Sequence, residues 1–298
     1  MKKITAILVI LALALTATAF AEPILIGIPD DGTNLSRAIK LLEVAGLLEV
    51  DPAAGYTPEI KDITRYLYDI EVSPVAANTL TSTLADYGAA TINGTYAIPY
   101  GLIPSQNGLI IEKQSEGGDN PYVNIIAARA EDVDNEVYQT IVAAYQTQYV
   151  AEFLLENYKE AFFPAFDYDA EFTVEEGWTD SVVAYVSDKA DKAVVKVGVC
   201  GANNDQWKAV QQVLDEQGAG IYIELVEFVA YHLPNEALNS GDIDLNAFQH
   251  KTYLNNDSAA NGYNLAPIGD TLIAPLTLYS QKFDSVDAIK EAAGALAD

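Results

Sequence analysis

Arg37 lies near the start of the helical pattern TNLSRAIKLLEVAGLL, where a positive side chain opposes the helix dipole. A bound carboxylate would reverse that sign through a bidentate, charge-assisted pair. A solvated or salt-bridged arginine in an acid-rich chain accounts for the same residue. Asn93, in TINGTYA just past an apolar run, carries an amide that can address both a carboxylate and an ammonium group. Asn before Gly is equally an ordinary turn signal. Asn124 in NPYVN has the same chemistry, and satisfying local backbone would also use it. In NAFQH an extended backbone puts Phe248 and His250 on one face, and Phe248 and Tyr253 read as core aromatics on residue type alone. Asp242, Asp244 and Asn246 imitate the opening of a calcium loop. Ala247 stands where that loop needs Gly and Tyr253 where it needs Glu, so no metal site is expected. Cys200 and His250 do not form a nucleophile signature with any third group, and no glycine loop cradles a phosphate, so neither enzyme nor cofactor is expected.

The elements that position these residues alternate. Ile24 to Ile28 is an apolar run stopped by Pro29-Asp30-Asp31-Gly32. Thr33 is then a plausible N-cap for a helix with Leu35, Ala38, Ile39 and Leu42 on one stripe, ended by Gly46. Further strands are expected at Glu59–Ile63, Ala89–Ile92, Leu109–Glu112, Val123–Ala128, Val194–Val199 and Ile221–Phe228. Helices are expected at Asn135–Gln146, Gln148–Lys159 and Gln206–Gln217. This alternation indicates an α/β class with mostly parallel sheets. Residues 167–192 carry eight acids against Lys189 and Lys192, the pattern of a linker with at most one added strand or helical turn.

Composition narrows the function. The 298 residues hold 16 Lys+Arg and 43 Asp+Glu, a formal charge of −27, with 50% hydrophobic residues. The apolar content excludes a disordered acidic tail, and the charge argues against nucleic acid as a partner. One Cys and two His exclude an internal disulfide and multi-Cys or His-rich metal sites. Residues 1–21, MKKITAILVILALALTATAFA, read as a secretory signal peptide. The product is therefore expected to be exported to a periplasmic or extracellular setting, as a monomer. With no Cys at the cleavage position, no lipid anchor is expected.

Several longer motifs carry a resemblance. LPNEAL, GDID and NAFQHKTYL resemble the methionine-binding proteins of ABC importers, the NlpA-type lipoprotein family, and VKVGV at Val195–Val199 resembles that family's first strand. APIGDTLIAPLTLYSQKFDSVDAI, IPDDGTNLSRAIKLLEVAGLLEV, TINGTYA, NPYVNIIAAR and YQTQYVAEFLLENYKEAFFPAF resemble its later parts. Here the family's second half comes first, and residues 167–192 join the usual C-terminus to the usual N-terminus. The resemblance thus implies a two-lobed, periplasmic-binding-protein-like (type 2) α/β fold with two hinge crossovers, circularly permuted. Lobe II would comprise 22–119 plus 284–298, and lobe I 120–166 plus 193–283. The crossovers would lie near Asp119–Tyr122 and Tyr279–Asp284.

The same resemblance implies a non-enzymatic receptor that captures L-methionine, D-methionine or a Met-containing dipeptide for an ABC permease and its ATPase. Arg37 would hold the carboxylate, with Asn93 and Asn124 beside it. Tyr231, Phe248, His250 and Tyr253 would supply the other half of the site, since aromatic edges suit a thioether. Thr252 and Gly32 stand where the family has Pro, which would loosen the loops beside the site, and Cys200 would narrow the pocket. The alternative is a secreted scaffold or adhesion-type protein that keeps the fold without transport.

Overall fold

The computed structural model describes residues 22–113, 120–159 and 161–296. The expected export signal at 1–21 and the expected crossover position Asp119 lie outside the described residues.

Ten strands form two five-stranded sheets among the described residues. They are β1 Ile24–Pro29, β2 Ile70–Val75, β3 Ala89–Ile92, β4 Gly108–Ile111 and β5 Asn124–Arg129, then β6 Ala193–Cys200, β7 Ile221–Phe228, β8 Leu245–His250, β9 Leu265–Asp270 and β10 Thr277–Tyr279. The first sheet runs β2-β1-β3-β10-β4 and the second β7-β6-β8-β5-β9. In each, three parallel strands are followed by an antiparallel strand delivered from the other sheet's side of the chain: β10 in the first, β5 in the second. Strands β1 and β3 read as apolar runs because strands inside parallel sheets are covered on both faces.

Helix α1, Gly32–Val44, buries Ile39 and Leu42 with Ile26 and Ile28 of β1 to make one core. Helices α2 Glu136–Tyr145, α3 Gln148–Tyr158 and, beyond the acidic connector's own helix α4 Trp178–Val183, helix α5 Gln206–Glu216 bury Tyr145, Phe153, Trp207 and Leu214 over the second sheet. Helices α6 Leu233–Ser240 and α7 Lys251–Asn261 also belong to this second lobe, and α8 Val286–Ala293 to the first. A third cluster, with Ile92, Tyr96, Cys200, Tyr231, Tyr253 and Tyr279, draws on both lobes.

Four expectations need correction. The N-cap of α1 is Asp31, not Thr33: the Asp31 carboxylate accepts from the Asn34 amide at 3.0 Å. Residues Ile60–Asp62 form a 3-10 turn, and the strand expected at Glu59–Ile63 runs instead from Ile63 to Tyr66. Strand β2 is an addition, an edge strand whose Pro74 is tolerated because one side pairs with nothing. The second crossover falls between Asp270 and Thr277 rather than at Tyr279–Asp284, because β10 is already hydrogen-bonded into the first sheet.

The start of β1 and the residue that follows α8 meet at one residue. Ile24 N donates to Asp69 O at 3.0 Å, and Asp69 N donates to Gly294 O at 3.1 Å. The connector, by contrast, is fastened to the second lobe. Trp178 packs edge-on to Tyr149 at 5.0 Å and Val182 is fully buried. Tyr185 and Ser187 donate to Asp215 Oδ2 at 2.8 and 2.6 Å, and Lys192 pairs with Oδ1. Burial disfavours the Asp215 charge, but hydrogen bonds from Lys192, Ser187, Tyr185 and Gln211 outweigh it and hold the carboxyl below its usual range. Asp215→Ala removes the shared acceptor. We expect a loss of about 2 kcal/mol in urea unfolding, given ~1.5–3 kcal/mol for hydrogen bonds to a charged group. Limited proteolysis should also cut faster between 167 and 192; unchanged cutting would show that Asp215 does not hold the connector.

Candidate binding site

The carboxyl ends of β1, β3 and β8 face the gap between the sheets, where open α/β sheets place their ligands. Arg37 follows β1, Asn93 ends β3 and His250 ends β8. Arg37 is only 4% exposed. Its Nε donates to Glu112 Oε1 at 3.0 Å, and Nη2 donates to Glu112 Oε2 and, at 3.1 Å, to the Ala274 carbonyl. The guanidinium stacks 4.7 Å from the Tyr122 ring centre. Burial works against its charge, and the Glu112 carboxylate outweighs that effect, so Arg37 stays protonated. Nη1 donates to Asn34 Oδ1 at 3.1 Å and keeps a second hydrogen.

Asn34 ties the polar end together. Its amide nitrogen donates to the Asp31 carboxylate, while its Oδ1 accepts from both Arg37 and, at 3.0 Å, Asn93 Nδ2. That orients Asn93 so that its own Oδ1 is buried with no partner. Burial raises the Asp31 pKa, against the hydrogen bonds from Asn34. The Asp31 carboxylate therefore takes up the Asn34 amide in the first turn of α1.

On the other side, His250 Nδ1 accepts from Tyr253 N at 3.1 Å, which assigns the ring hydrogen to Nε2. Nε2 is buried without a partner. Burial, and then the nearby Arg37 charge, push the His250 pKa well below the ordinary range, so the ring is neutral at pH 7. Tyr231 stacks on Phe248 at 5.9 Å, and Tyr253 meets Phe248 edge-on at 5.9 Å. Asn124 opens β5 opposite His250.

All seven residues singled out in the sequence, Arg37, Asn93, Asn124, Tyr231, Phe248, His250 and Tyr253, line one cavity of about 360 Å³ of empty space. His232 is exposed and lies outside it. The lobes touch above the cavity: Tyr96 Oη donates to the Val229 carbonyl at 3.4 Å, and Asn256 Nδ2 donates to Thr33 Oγ1 at 3.3 Å. Asn34, Glu112 and Tyr122 were missed. Asn34 had a local signal, lying three residues from both Asp31 and Arg37 on one helical face. Glu112 and Tyr122 had none, being joined to Arg37 only by the fold.

The arrangement presents a guanidinium edge and an imidazole N–H to an anion, a lone amide oxygen to a donor, and an aromatic wall to an apolar group. These suit an amino acid's carboxylate, amine and side chain.

The neutral His250 also has a stability signature. Unfolded, it takes up a proton near pH ~6.5, whereas folded it does not, so the unfolded state binds more protons. Stability is therefore lost as pH falls below that value, until the pH passes the lowered folded pKa. Urea midpoints between pH 7 and 5 should fall less steeply for His250→Phe than for the parent. Parallel curves would refute the neutral assignment.

Among known proteins, the sequence model of the NlpA lipoprotein family matches residues 19–166 and 195–295. The D-methionine-binding lipoprotein MetQ of Salmonella typhi is 43% identical over 104 residues, 35% of this chain and 38% of that protein. MetQ of Escherichia coli K12 is 40% identical over 111 residues, 37% of this chain and 41% of that protein. The chain thus spans under half the length of these curated relatives. A nutrient binding protein from Burkholderia cenocepacia, solved bound to methionine, is 30% identical over 49% of this chain and 60% of its own, with a TM-score of 0.46. The two five-stranded α/β lobes agree with the two-lobed architecture that the resemblance implies. One expectation is overturned: a lipoprotein family implies an N-terminal anchor cysteine, against the reading of an exported chain without one. Cys200, buried at the end of β6, is not that residue.

Proposed function

Because this chain belongs to the NlpA lipoprotein family, we propose that it is a non-catalytic receptor that closes on methionine or a close relative for a membrane ABC importer, with its permease and ATPase. The observation that carries this reading is the convergence of Arg37, His250 Nε2 and Asn93 Oδ1 on one cavity with an aromatic wall. The ligand carboxylate meets Arg37 and His250, its nitrogen donates to Asn93, and Asn124 flanks the polar end. Tyr231, Phe248 and Tyr253 receive the thioether. A Kd near 1 μM needs about −8 kcal/mol, within reach of a few charge-assisted bonds and one buried side chain. Calorimetry with the twenty amino acids should give heat with methionine. Arg37→Ala should weaken it by roughly 30-fold or more, since truncating one partner of a buried charge pair costs about 2–5 kcal/mol. Asn93→Ala, which leaves the Glu112 pair intact, should weaken it with little change in ligand-free stability. No heat with any amino acid or Met-containing dipeptide would overturn the assignment.

The circular permutation is part of the same proposal, with residues 167–192 as the bridge between the family's usual ends. Three observations support it: the family model matches on either side of the connector, each MetQ match covers about a third of the chain, and the segments at Ile24 and Gly294 both bond to Asp69. A re-ordered chain, starting at Ala193, joining 296 to 24 by a short loop and ending at Phe166, should fold and bind as the parent does. Failure to fold, seen by circular dichroism, would overturn the permutation and leave the ligand reading standing.

A further inference from the structure

Strand β8 breaks its own alternation just before it reaches the cavity. Along its antiparallel partner, Asn246 sits opposite Ala127 and Gln249 opposite Ile125, so three steps on β8 match two on β5. The extra residue is a β-bulge, and a shift of one residue exchanges the faces of every side chain beyond it. The exchange is visible at Asn246 and Gln249. Three apart in a regular strand they would point to opposite faces, yet both reach the same asparagine on α6, Asn235. With Gln249 turned to α6, its neighbours Phe248 and His250 face the cavity, which both line. Regular alternation from Asn246 would instead carry Phe248 and His250 to the Asn235 side.

Asn235 is fully buried. Its Oδ1 accepts from Asn246 Nδ2 at 2.9 Å and from Gln249 Nε2 at 2.6 Å, one from each side of the bulge. Its Nδ2 donates to Gln249 Oε1 at 2.9 Å and to Asp257 Oδ2 of α7 at 2.8 Å. Gln249 Nε2 closes the ring by donating to Asn246 Oδ1 at 2.9 Å. Two donors and two acceptors are the whole capacity of an amide, and Asn235 uses all of them. A buried network of this kind specifies one arrangement, because any other leaves its members unpaired in a low dielectric. Helix α7 carries Tyr253 and is capped by His250. The same asparagine therefore reaches both elements that bear Phe248, His250 and Tyr253, although it does not itself line the cavity.

Building on the reading of an amino-acid receptor, we propose that Asn235 is the positioning residue of the site: without touching the ligand, it locks the bulge in β8 that turns Phe248 and His250 into the cavity. The His250 Nε2–H and the Phe248 ring are then aimed at a ligand by a network that lies behind them.

Asn235→Ala and Asn246→Ala test this on the full chain, with Asp215→Ala as the reference, by methionine calorimetry and urea unfolding. Asp215 lies in the same lobe and its partners belong to the connector and α5, so its loss reports what lower stability alone does to binding. Methionine affinity should fall by about tenfold or more in both asparagine variants, the scale on which removing groups that orient ligating side chains acts in metal sites. It should stay at the parent's value in Asp215→Ala. A second readout needs no ligand. The chain has two histidines and His232 is exposed, so the imidazole NMR signals of His250 can be told apart. The parent and Asp215→Ala should show one fixed tautomer with the hydrogen on Nε2, and the asparagine variants should lose it. Asn246→Ala removes only part of the network and covers the case in which Asn235→Ala does not fold. Asparagine variants that bind as tightly as Asp215→Ala, or that keep the His250 tautomer, would overturn the positioning role and leave the receptor in place. A parent protein silent with every amino acid and Met-containing dipeptide would overturn the receptor reading, and the positioning role with it.

Discussion

A guanidinium held out of water is the constraint around which the two lobes are arranged. An ion moved into a protein interior costs several kcal/mol unless it is paired and hydrogen-bonded. Arg37 meets that condition with partners on both segments that cross between the lobes. Glu112 directly follows β4 and Tyr122 precedes β5 on one crossing; Ala274 lies on the other. Glu112 also accepts from the Leu276 amide at 3.0 Å, so one carboxylate joins the arginine to both crossings. Arg37 itself sits on α1 of the first lobe. The group best suited to recognise a carboxylate is therefore also the group that fastens the hinge segments to that lobe.

Such an anchor fixes geometry before any ligand arrives. Glu112 and Ala274 take one edge of the guanidinium and Tyr122 covers a face, leaving the Nη1 edge beside Asn34 and Asn93. Side chains already locked by neighbours lose little freedom on binding, which is where preorganised sites gain affinity. The departures from the family pattern fit this rigidity better than the loosening expected of them. Thr252 donates from Oγ1 to the Pro121 carbonyl at 3.0 Å, tying α7 to a crossing segment. Gly32 opens α1 in free space, and the Asp31 cap holds the loop there.

What the sequence disclosed, and what it hid, follows from the range of the interactions. Ala89–Ile92 and Ile221–Phe228 were legible because burial writes an apolar run of strand length. The edge strand at Ile70–Val75 was hidden by Pro74, a residue that argues against a strand unless the pairing is known. The second crossing was misplaced because β10 is a three-residue insertion between β3 and β4, a partnership settled far from its own sequence. The seven cavity residues were recognised through whole motifs, since residue type left Arg37 and Asn93 ambiguous. Glu112 stayed invisible: its 75-residue separation from Arg37 gives no local pattern.

The acidity of the chain and the chemistry of its cavity are set at different distances. A net charge of −27 would seem to oppose any anionic group on a ligand. At physiological salt, however, exposed charges are screened within about 8 Å, and the cavity is lined by one cation and no acid. Inside, lower dielectric strengthens whatever charge is present, so Arg37 acts locally without competition from the surface carboxylates. Glu112 answers that charge from behind, keeping the buried cation tolerable without placing an anion in the cavity wall. A carboxylate that reaches the free guanidinium edge therefore enters a pair already balanced. In the proposed receptor its hold comes from directed hydrogen bonds to Arg37 and His250 more than from net attraction, which favours ligands by shape and donor pattern over charge alone.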